Sequence, residues 1–203
     1  SALILAAAPP AQLLPIDEAS QRPEFFTFRA HLQAAVARHD LDAVLAIVHP
    51  TIKNSFGGDD GIDGFRRLWR PTKPDTTLWA ELGMVLALGG VFDSEDSFTA
   101  PYVFSKWPNQ FDSFEHVVLV ASDVRIREAP RTDAATLTSL SFAILPVARR
   151  PGLIEQEGWT AVQVDGGKVG YVASRLARSP IDYRARFNKI DNRWQLVFLL
   201  AGD

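Results

Sequence analysis

The apolar residues of this 203-residue chain change their spacing near residue 117. Before that point they recur every three or four positions, which is the period of a helix buried on one side. After it, apolar and polar residues alternate, as in a strand with one buried face. The change predicts an α+β chain in which a helical part precedes a β-rich part. The clearest examples are the helical set Phe25, Phe28, Leu32, Ala35 and Val36 and the alternating set Val117, Leu119, Val124 and Ile126.

The sequence predicts three further helices after the one that carries Phe25. Asp40 is the candidate N-cap of a short helix that carries Leu41, Val44, Leu45 and Val48 and ends near His49-Pro50, because an aspartate side chain accepts a hydrogen bond from the free N–H groups of a first turn. A third helix opens at Asp60 or Gly61, with Ile62, Phe65, Leu68 and Trp69 as its apolar face. A fourth runs from Thr76 to Gly89 and ends at Gly89-Gly90, since glycine favours helix ends.

Two turn sequences predict β-hairpins in the second part of the chain. Asp165-Gly166-Gly167-Lys168 lies between two alternating segments, and Asp191-Asn192 joins another pair. The segment from Trp194 to Leu200 is apolar on both faces, so we expect a central or covered strand. Because an isolated hairpin is only marginally stable, we expect this one to dock on the helical part. The aromatic stretch from Phe92 to Phe114 is either a long loop or a strand followed by a loop.

One segment of the β-rich part resembles a known family. Val124-Arg125-Ile126-Arg127-Glu128-Ala129-Pro130 is similar to the opening of bacterial SH3 domains. Gly158-Trp159 and Gly170-Tyr171-Val172 are similar to the family's glycine-tryptophan strand and its closing glycine-tryptophan-valine motif. Thr132, Leu137, Leu140 and Leu176 follow at the family's spacing. The resemblance implies a small SH3-like β-barrel over residues 117–178.

With the barrel placed, the chain is expected to divide into three parts. Residues 1–23 form an arm and linker, and residues 117–178 form the barrel. Residues 24–116 together with 179–203 form a helical domain that the C-terminal β-hairpin closes. The helical part is also similar in outline to cone-shaped α+β domains of the nuclear-transport-factor type, a likeness of shape that implies no function.

The resemblance implies a binding protein and not an enzyme, since the family's usual ligands are cell-wall peptides or envelope proteins. Aromatic residues on small barrels commonly line a peptide groove. Trp159 and Tyr171, flanked by Arg125 and Arg127, are therefore the candidate ligand-binding residues. The alternative interpretation is that the aromatics belong to the core and the arginines to a solvated strand face. Arg149-Arg150, in a long loop, is a basic feature suited to an anionic partner.

Composition excludes several kinds of chemistry. The chain has no cysteine, so it has no thiolate nucleophile and no Cys-ligated zinc. Its four histidines do not have a metal-ligand spacing, and no serine-hydrolase or phosphate-loop motif occurs. A net charge of −3 argues against nucleic acid as a partner, and no segment has the ~18 apolar residues of a membrane span. We expect no catalytic residue, no bound metal and no cofactor.

A second hypothesis is a small-molecule-binding protein or an enzyme with its pocket in the helical domain. It places the pocket near His49, Asp59 and Asp60 and predicts an enclosed cavity on which these polar groups converge. Carboxylates at the N-terminus of a helix explain the same aspartates as capping residues. A third hypothesis is a structural or assembly role, in which both domains only contact partners.

The N-terminal residues favour export. Ala2 to Ala8 are small and apolar, and Pro9-Pro10 follows them. They resemble the end of a secretory hydrophobic region with an A-x-A site at Ala6 and Ala8. An apolar arm packed on the protein's own core is the alternative. Together with the ligands that the family resemblance implies, this pattern predicts an exported protein that is periplasmic or associated with the cell envelope.

Overall fold

The computed structural model describes residues 9–203, so the predicted export signal at Ala2–Ala8 lies outside the described residues. The chain forms two compact units. The helical unit comprises residues 15–106 and 181–203, and the β unit comprises residues 9–14 and 107–180. Residues 15–23 thus belong to the helical unit and residues 107–116 to the β unit. The sequence instead predicts domain boundaries after residues 23 and 116.

The described residues contain five α-helices and twelve strands. The helices are α1 Pro23–Ala37, α2 Leu41–Leu45, α3 Gly61–Trp69, α4 Leu78–Ala87 and α5 Tyr102–Ser105. The strands are β1 Val48–Lys53, β2 Val91–Ser94, β3 Ser97–Ala100, β4 His116–Leu119, β5 Val124–Arg127, β6 Thr136–Leu140, β7 Ile144–Pro146, β8 Trp159–Val164, β9 Lys168–Ala173, β10 Ala177–Arg178, β11 Arg184–Ile190 and β12 Arg193–Leu200. The predicted α+β class is confirmed.

The ends of two helices follow the sequence signals. The Asp40 carboxylate accepts a hydrogen bond from the Ala43 N–H at 3.0 Å, which confirms Asp40 as the N-cap of α2. Helix α4 is followed by Gly89 at φ +65°, a left-handed conformation that glycine adopts without a steric cost. The predicted stop of the fourth helix at Gly89-Gly90 is therefore confirmed.

A five-stranded sheet of order β1-β12-β11-β3-β2 forms the second layer of the helical unit. Strand β12 lies between β1, which runs parallel to it, and β11, which runs antiparallel, so the expected covered strand is confirmed. Asp191 and Asn192 connect β11 to β12 at φ 47° and 61°. Positive φ at both central residues is the two-residue hairpin turn that the sequence predicts.

Phe25 on α1 lies at the centre of the helical unit and is fully buried. Its ring centroid is 4.3 Å from that of Phe98 on β3 and 4.7 Å from that of Trp194 on β12. Leu196 and Leu199 join the same core. The C-terminal hairpin is thus packed on the helices, as the sequence predicts.

Two parts of the helical unit differ from the sequence prediction. The sequence predicts Val48 in the second helix, but that helix ends at Leu45. Val48 instead begins β1, because β1 pairs with the distant strand β12. Residues 92–114 contain the β2–β3 hairpin and α5 besides loops. In the third helix, Leu68 is 45% exposed although its spacing placed it on the apolar face.

The segment before α1 is bound to the helical unit and does not behave as a free linker. The Arg29 guanidinium donates two hydrogen bonds of 2.7 Å to the Asp17 carboxylate. The Glu18 N–H donates to the Gly90 carbonyl at 2.9 Å, and the Gly90 N–H donates to the Ile16 carbonyl at 3.1 Å. These bonds hold the segment against the start of β2.

The β unit contains a three-stranded sheet of order β10-β4-β7 and a four-stranded sheet of order β6-β5-β9-β8. An isolated bridge between Val147 and Val162 links the two sheets, and in residues 9–203 the strands do not close into one continuous barrel. Both sheets bury side chains in a single core that includes Val117, Leu119, Ile126, Leu145 and Val172. Residues 11–13 run along residues 142–144.

The predicted turn at Asp165-Gly166-Gly167-Lys168 joins β8 and β9, which form an antiparallel hairpin with Val164 opposite Lys168. Gly166 and Gly167 have φ values of 69° and 73°, which explains the choice of glycine. Within residues 9–203, no helix combines the length and the apolar character that crossing a membrane requires.

The Asp17–Arg29 pair provides a stability test of the docked segment. The Arg29 side chain is 7% exposed, so Asp17→Asn leaves a buried charge with a weaker partner. We expect a loss of about 2 kcal/mol in the free energy of unfolding, measured in urea. The matched control is Asp75→Asn, whose partner Arg70 is 57% exposed, and it should lose less than about 1 kcal/mol. Equal losses in the two variants would contradict this assignment.

Tyr102 provides a test at alkaline pH. It is 1% exposed, its hydroxyl has no hydrogen-bond partner among the described residues, and burial raises the pKa from 10.0 to about 12. The unfolded chain releases this proton first, so stability should fall as the pH rises from 10.0 to about 12. Tyr102→Phe should flatten this fall and change the stability at neutral pH by less than about 1 kcal/mol. Urea unfolding across this pH range measures the slope, and identical slopes for variant and wild type would contradict the prediction.

Candidate functional site

The two faces of the β6-β5-β9-β8 sheet have different roles, because successive side chains of a strand point to opposite faces. The inner face contributes to the core through Val124, Ile126, Val162 and Val172. The residues between them lie on the outer face. These are Arg125, Arg127, Trp159, Ala161, Tyr171 and Ala173.

A cleft of about 410 Å³ lies on the outer face. Its lining includes Arg125 and Arg127 from β5, Trp159 from the start of β8, and Arg175 just after β9. Ala173 lies directly opposite Trp159 in the β8–β9 ladder. Both residues line the cleft, and Trp159 contributes its aromatic side chain. Three of the four ligand-binding residues predicted from the sequence therefore meet in one place.

The cleft is positively charged. Arg125, Arg127 and Arg175 line it together with one acidic residue, Asp123, although the whole chain has a net charge of −3. Arg127 donates a hydrogen bond of 2.7 Å to the Ala134 carbonyl, which holds its guanidinium in place. The guanidinium groups of Arg125 and Arg175 make no hydrogen bond or ion pair with any residue between 9 and 203. Their donors are available to a ligand.

Tyr171, the fourth predicted residue, lies outside this cleft. It pairs with Arg127 across the β5–β9 ladder but is only 6% exposed. Its hydroxyl accepts a hydrogen bond of 3.1 Å from the Ile154 N–H, so the loop 148–157 covers it. Tyr171 therefore fixes this loop, and the structure does not present it as a surface for a ligand.

A second cleft, of about 710 Å³, lies on the loop side of Trp159, which lines both clefts. The loop residues Arg149, Arg150 and Ile154 contribute to it. The Arg149 guanidinium donates to the Glu115 carboxylate at 2.8 Å and to the Phe114 carbonyl at 2.6 Å. Of the basic pair singled out in the sequence, Arg149 is thus already engaged within the protein.

Arg175 is the cleft arginine that the sequence does not single out. It lies in a 3-10 turn, Ser174–Leu176, where neither helical nor strand spacing applies. Its only sequence signal is its place between the strand that ends at Ala173 and the apolar Leu176. Its position in the cleft depends on the end of β9 lying beside β5, which is a tertiary contact.

The alternative site in the helical unit has a different geometry. His49 accepts a hydrogen bond from the Thr51 N–H through Nδ1 at 3.2 Å. Asp59 and Asp60 are exposed, and the Asp59 carboxylate lies 3.7 Å from the Arg67 guanidinium. The two aspartates are solvated and His49 is half-buried, an arrangement that gives the pocket hypothesis no support. Residues 9–203 also contain no group of three or more His, Cys, Asp or Glu placed to hold a metal ion.

Comparison of the chain with protein-family models, curated proteins and solved structures found no match. The cleft at Trp159 is therefore the surface from which a function can be inferred. Its arginines, Trp159 and Ala173 come from the neighbouring strands β5, β9 and β8 and from the turn that follows β9.

The contact between Tyr171 and the loop has a measurable consequence. In Tyr171→Phe the Ile154 N–H loses its acceptor, so amide hydrogen exchange in residues 148–157 should become about fivefold faster. Mass spectrometry of the peptide that covers this loop measures the rate. Tyr102→Phe, which removes a hydroxyl from the helical unit, is the matched control and should leave the loop unchanged. An unchanged loop in Tyr171→Phe would show that this hydrogen bond does not hold it.

Proposed function

We propose that this chain is a non-catalytic cell-envelope binding protein whose β unit is an SH3-like module. The module binds a peptidoglycan stem peptide, or a protein segment of similar chemistry, in the cleft at Trp159. The observation that carries the proposal is the meeting of Arg125, Arg127 and Trp159 on the outer face of one sheet.

The arrangement of the family-like motifs supports the SH3-like assignment. The opening motif forms β5, Gly158-Trp159 leads into β8, and Gly170-Tyr171-Val172 lies in β9, which pairs with both. A β-carbon added to Gly170 would lie 2.4 Å from Ile126 Cγ2, so the motif glycine is required where the two strands pack. Two small sheets packed on one core are also expected of such a module.

The composition of the cleft supports binding over catalysis. An aromatic wall with flanking guanidinium groups suits an extended peptide, because the ring packs against its apolar parts and the arginines meet its polar groups. The lining has two hydroxyl side chains, Ser122 and Thr132, and no histidine beside them to act as a base. Export to the envelope is part of the proposal, and the small apolar residues at the start of the sequence support it.

Sedimentation of the full chain with purified peptidoglycan tests the proposal. We expect wild-type protein to sediment with the cell wall, and Trp159→Ala to bind at least about tenfold more weakly because the apolar wall is lost. The matched control is Phe114→Ala, which removes a 50% exposed aromatic of the same unit outside the cleft and should bind like the wild type.

Two results would count against the proposal. If wild-type protein fails to sediment with peptidoglycan, the cell wall is not its ligand. If Trp159→Ala and Phe114→Ala bind equally well, the ligand lies elsewhere on the molecule. Circular dichroism of each variant shows that the fold is retained before binding is compared.

A further inference from the structure

We propose that the cleft at Trp159 recognises a carboxylate group of its ligand and that Arg125 and Arg175 hold this group. The inference rests on the proposed function and names the chemistry that the binding site selects. It follows from the arginines that the fold leaves without partners, from the charge of the cleft and from the spacing across the sheet.

The arginines of the β unit are not equally available. Arg131 pairs with Asp133 at 2.8 Å, Arg149 pairs with Glu115 at 2.8 Å, and Arg127 donates to the Ala134 carbonyl. Arg125 and Arg175 line the cleft and make no such bond with residues 9–203. A guanidinium group presents five N–H donors in a planar fork that matches a carboxylate. Two of the three arginines that line the cleft therefore have all their guanidinium donors left for a ligand.

The local charge points to an anion. Three arginines and one aspartate, Asp123, line the cleft of a chain whose net charge is −3. A concave surface concentrates the field of such groups and attracts ligands of opposite charge.

The pairing of the strands sets the distance between the charged and apolar sides of the cleft. Arg127 pairs with Tyr171 and Ala173 pairs with Trp159, and because β5 and β9 are antiparallel, Arg125 lies toward the end of β9 that carries Ala173. Strands β5, β9 and β8 are neighbours in this order, so the β5 and β8 sides of the cleft lie roughly 10 Å apart. A peptide residue fits over the alanine, with its carboxylate toward Arg125 and its apolar part against the indole.

The size of the cleft favours a small acidic group. Its volume of about 410 Å³ is at the lower end of the range of ligand pockets, which suits one or two residues of a peptide. Stem peptides carry free carboxylates, whereas amidation removes their charge and keeps their size. This difference allows charge and shape to be tested separately.

The experiment compares a synthetic stem tetrapeptide that has free carboxylates with the same peptide amidated at every carboxylate. Binding to the full chain is measured by calorimetry. We expect the wild type to prefer the free peptide by about tenfold or more. Arg125→Gln and Arg175→Gln should each weaken binding of the free peptide about fivefold to tenfold, and the double variant should lose the preference. Arg131→Gln, an exposed arginine of the same unit outside the cleft, is the matched control and should keep it.

The possible results separate the two proposals. If the wild type binds both peptides equally, the carboxylate inference fails and the proposed function stands. If the preference survives in the double variant, other residues hold the carboxylate and the inference is overturned. If neither peptide binds and the protein does not sediment with peptidoglycan, the proposed function itself fails. Both arginines are exposed, so their replacement by glutamine should not disturb the fold, which circular dichroism checks.

Discussion

The pairing of β9 with β5 on one side and β8 on the other is the interaction on which the β unit depends. It needs a residue without a side chain at Gly170, where any β-carbon would collide with Ile126. Once β9 is in place, Tyr171 faces Arg127 and Ala173 faces Trp159. Residues that lie far apart in the sequence thereby form a single surface.

The same pairing places the residues of the core and the residues that line the cleft on opposite faces of the sheet. Alternate residues of β5 and β9, such as Ile126 and Val172, are completely buried in the core and contribute apolar burial. Their neighbours Arg125 and Ala173 point the other way and line the cleft. Because successive side chains of a strand point to opposite faces, the outer residues that line the cleft can be replaced while the core remains the same.

The helical unit depends on contacts of equally long range. Strand β12 enters the sheet between β1 and β11, and its Trp194 packs on Phe25 of α1. The Asp17–Arg29 pair holds the preceding segment to the same unit. Val48 has the spacing of a helical residue after Leu45, but the pairing of β1 with β12 makes it a strand residue. Tertiary pairing is stronger here than local helix propensity, which is a weak preference.

Features that act within a few residues can be predicted from the sequence. The Asp40 cap, the glycine stop after α4, the turns at 165–168 and 191–192 and the alternation of β5 are all local, because they depend on backbone conformation and on neighbouring hydrogen bonds. Its pattern also singled out Arg125, Arg127 and Trp159, which the fold brings together. Two further features appear only in the folded chain: the loop 148–157 covers Tyr171, and Arg175 joins the lining of the cleft. Those outcomes depend on which strands are neighbours, and such contacts between distant residues leave no periodic signal in the chain.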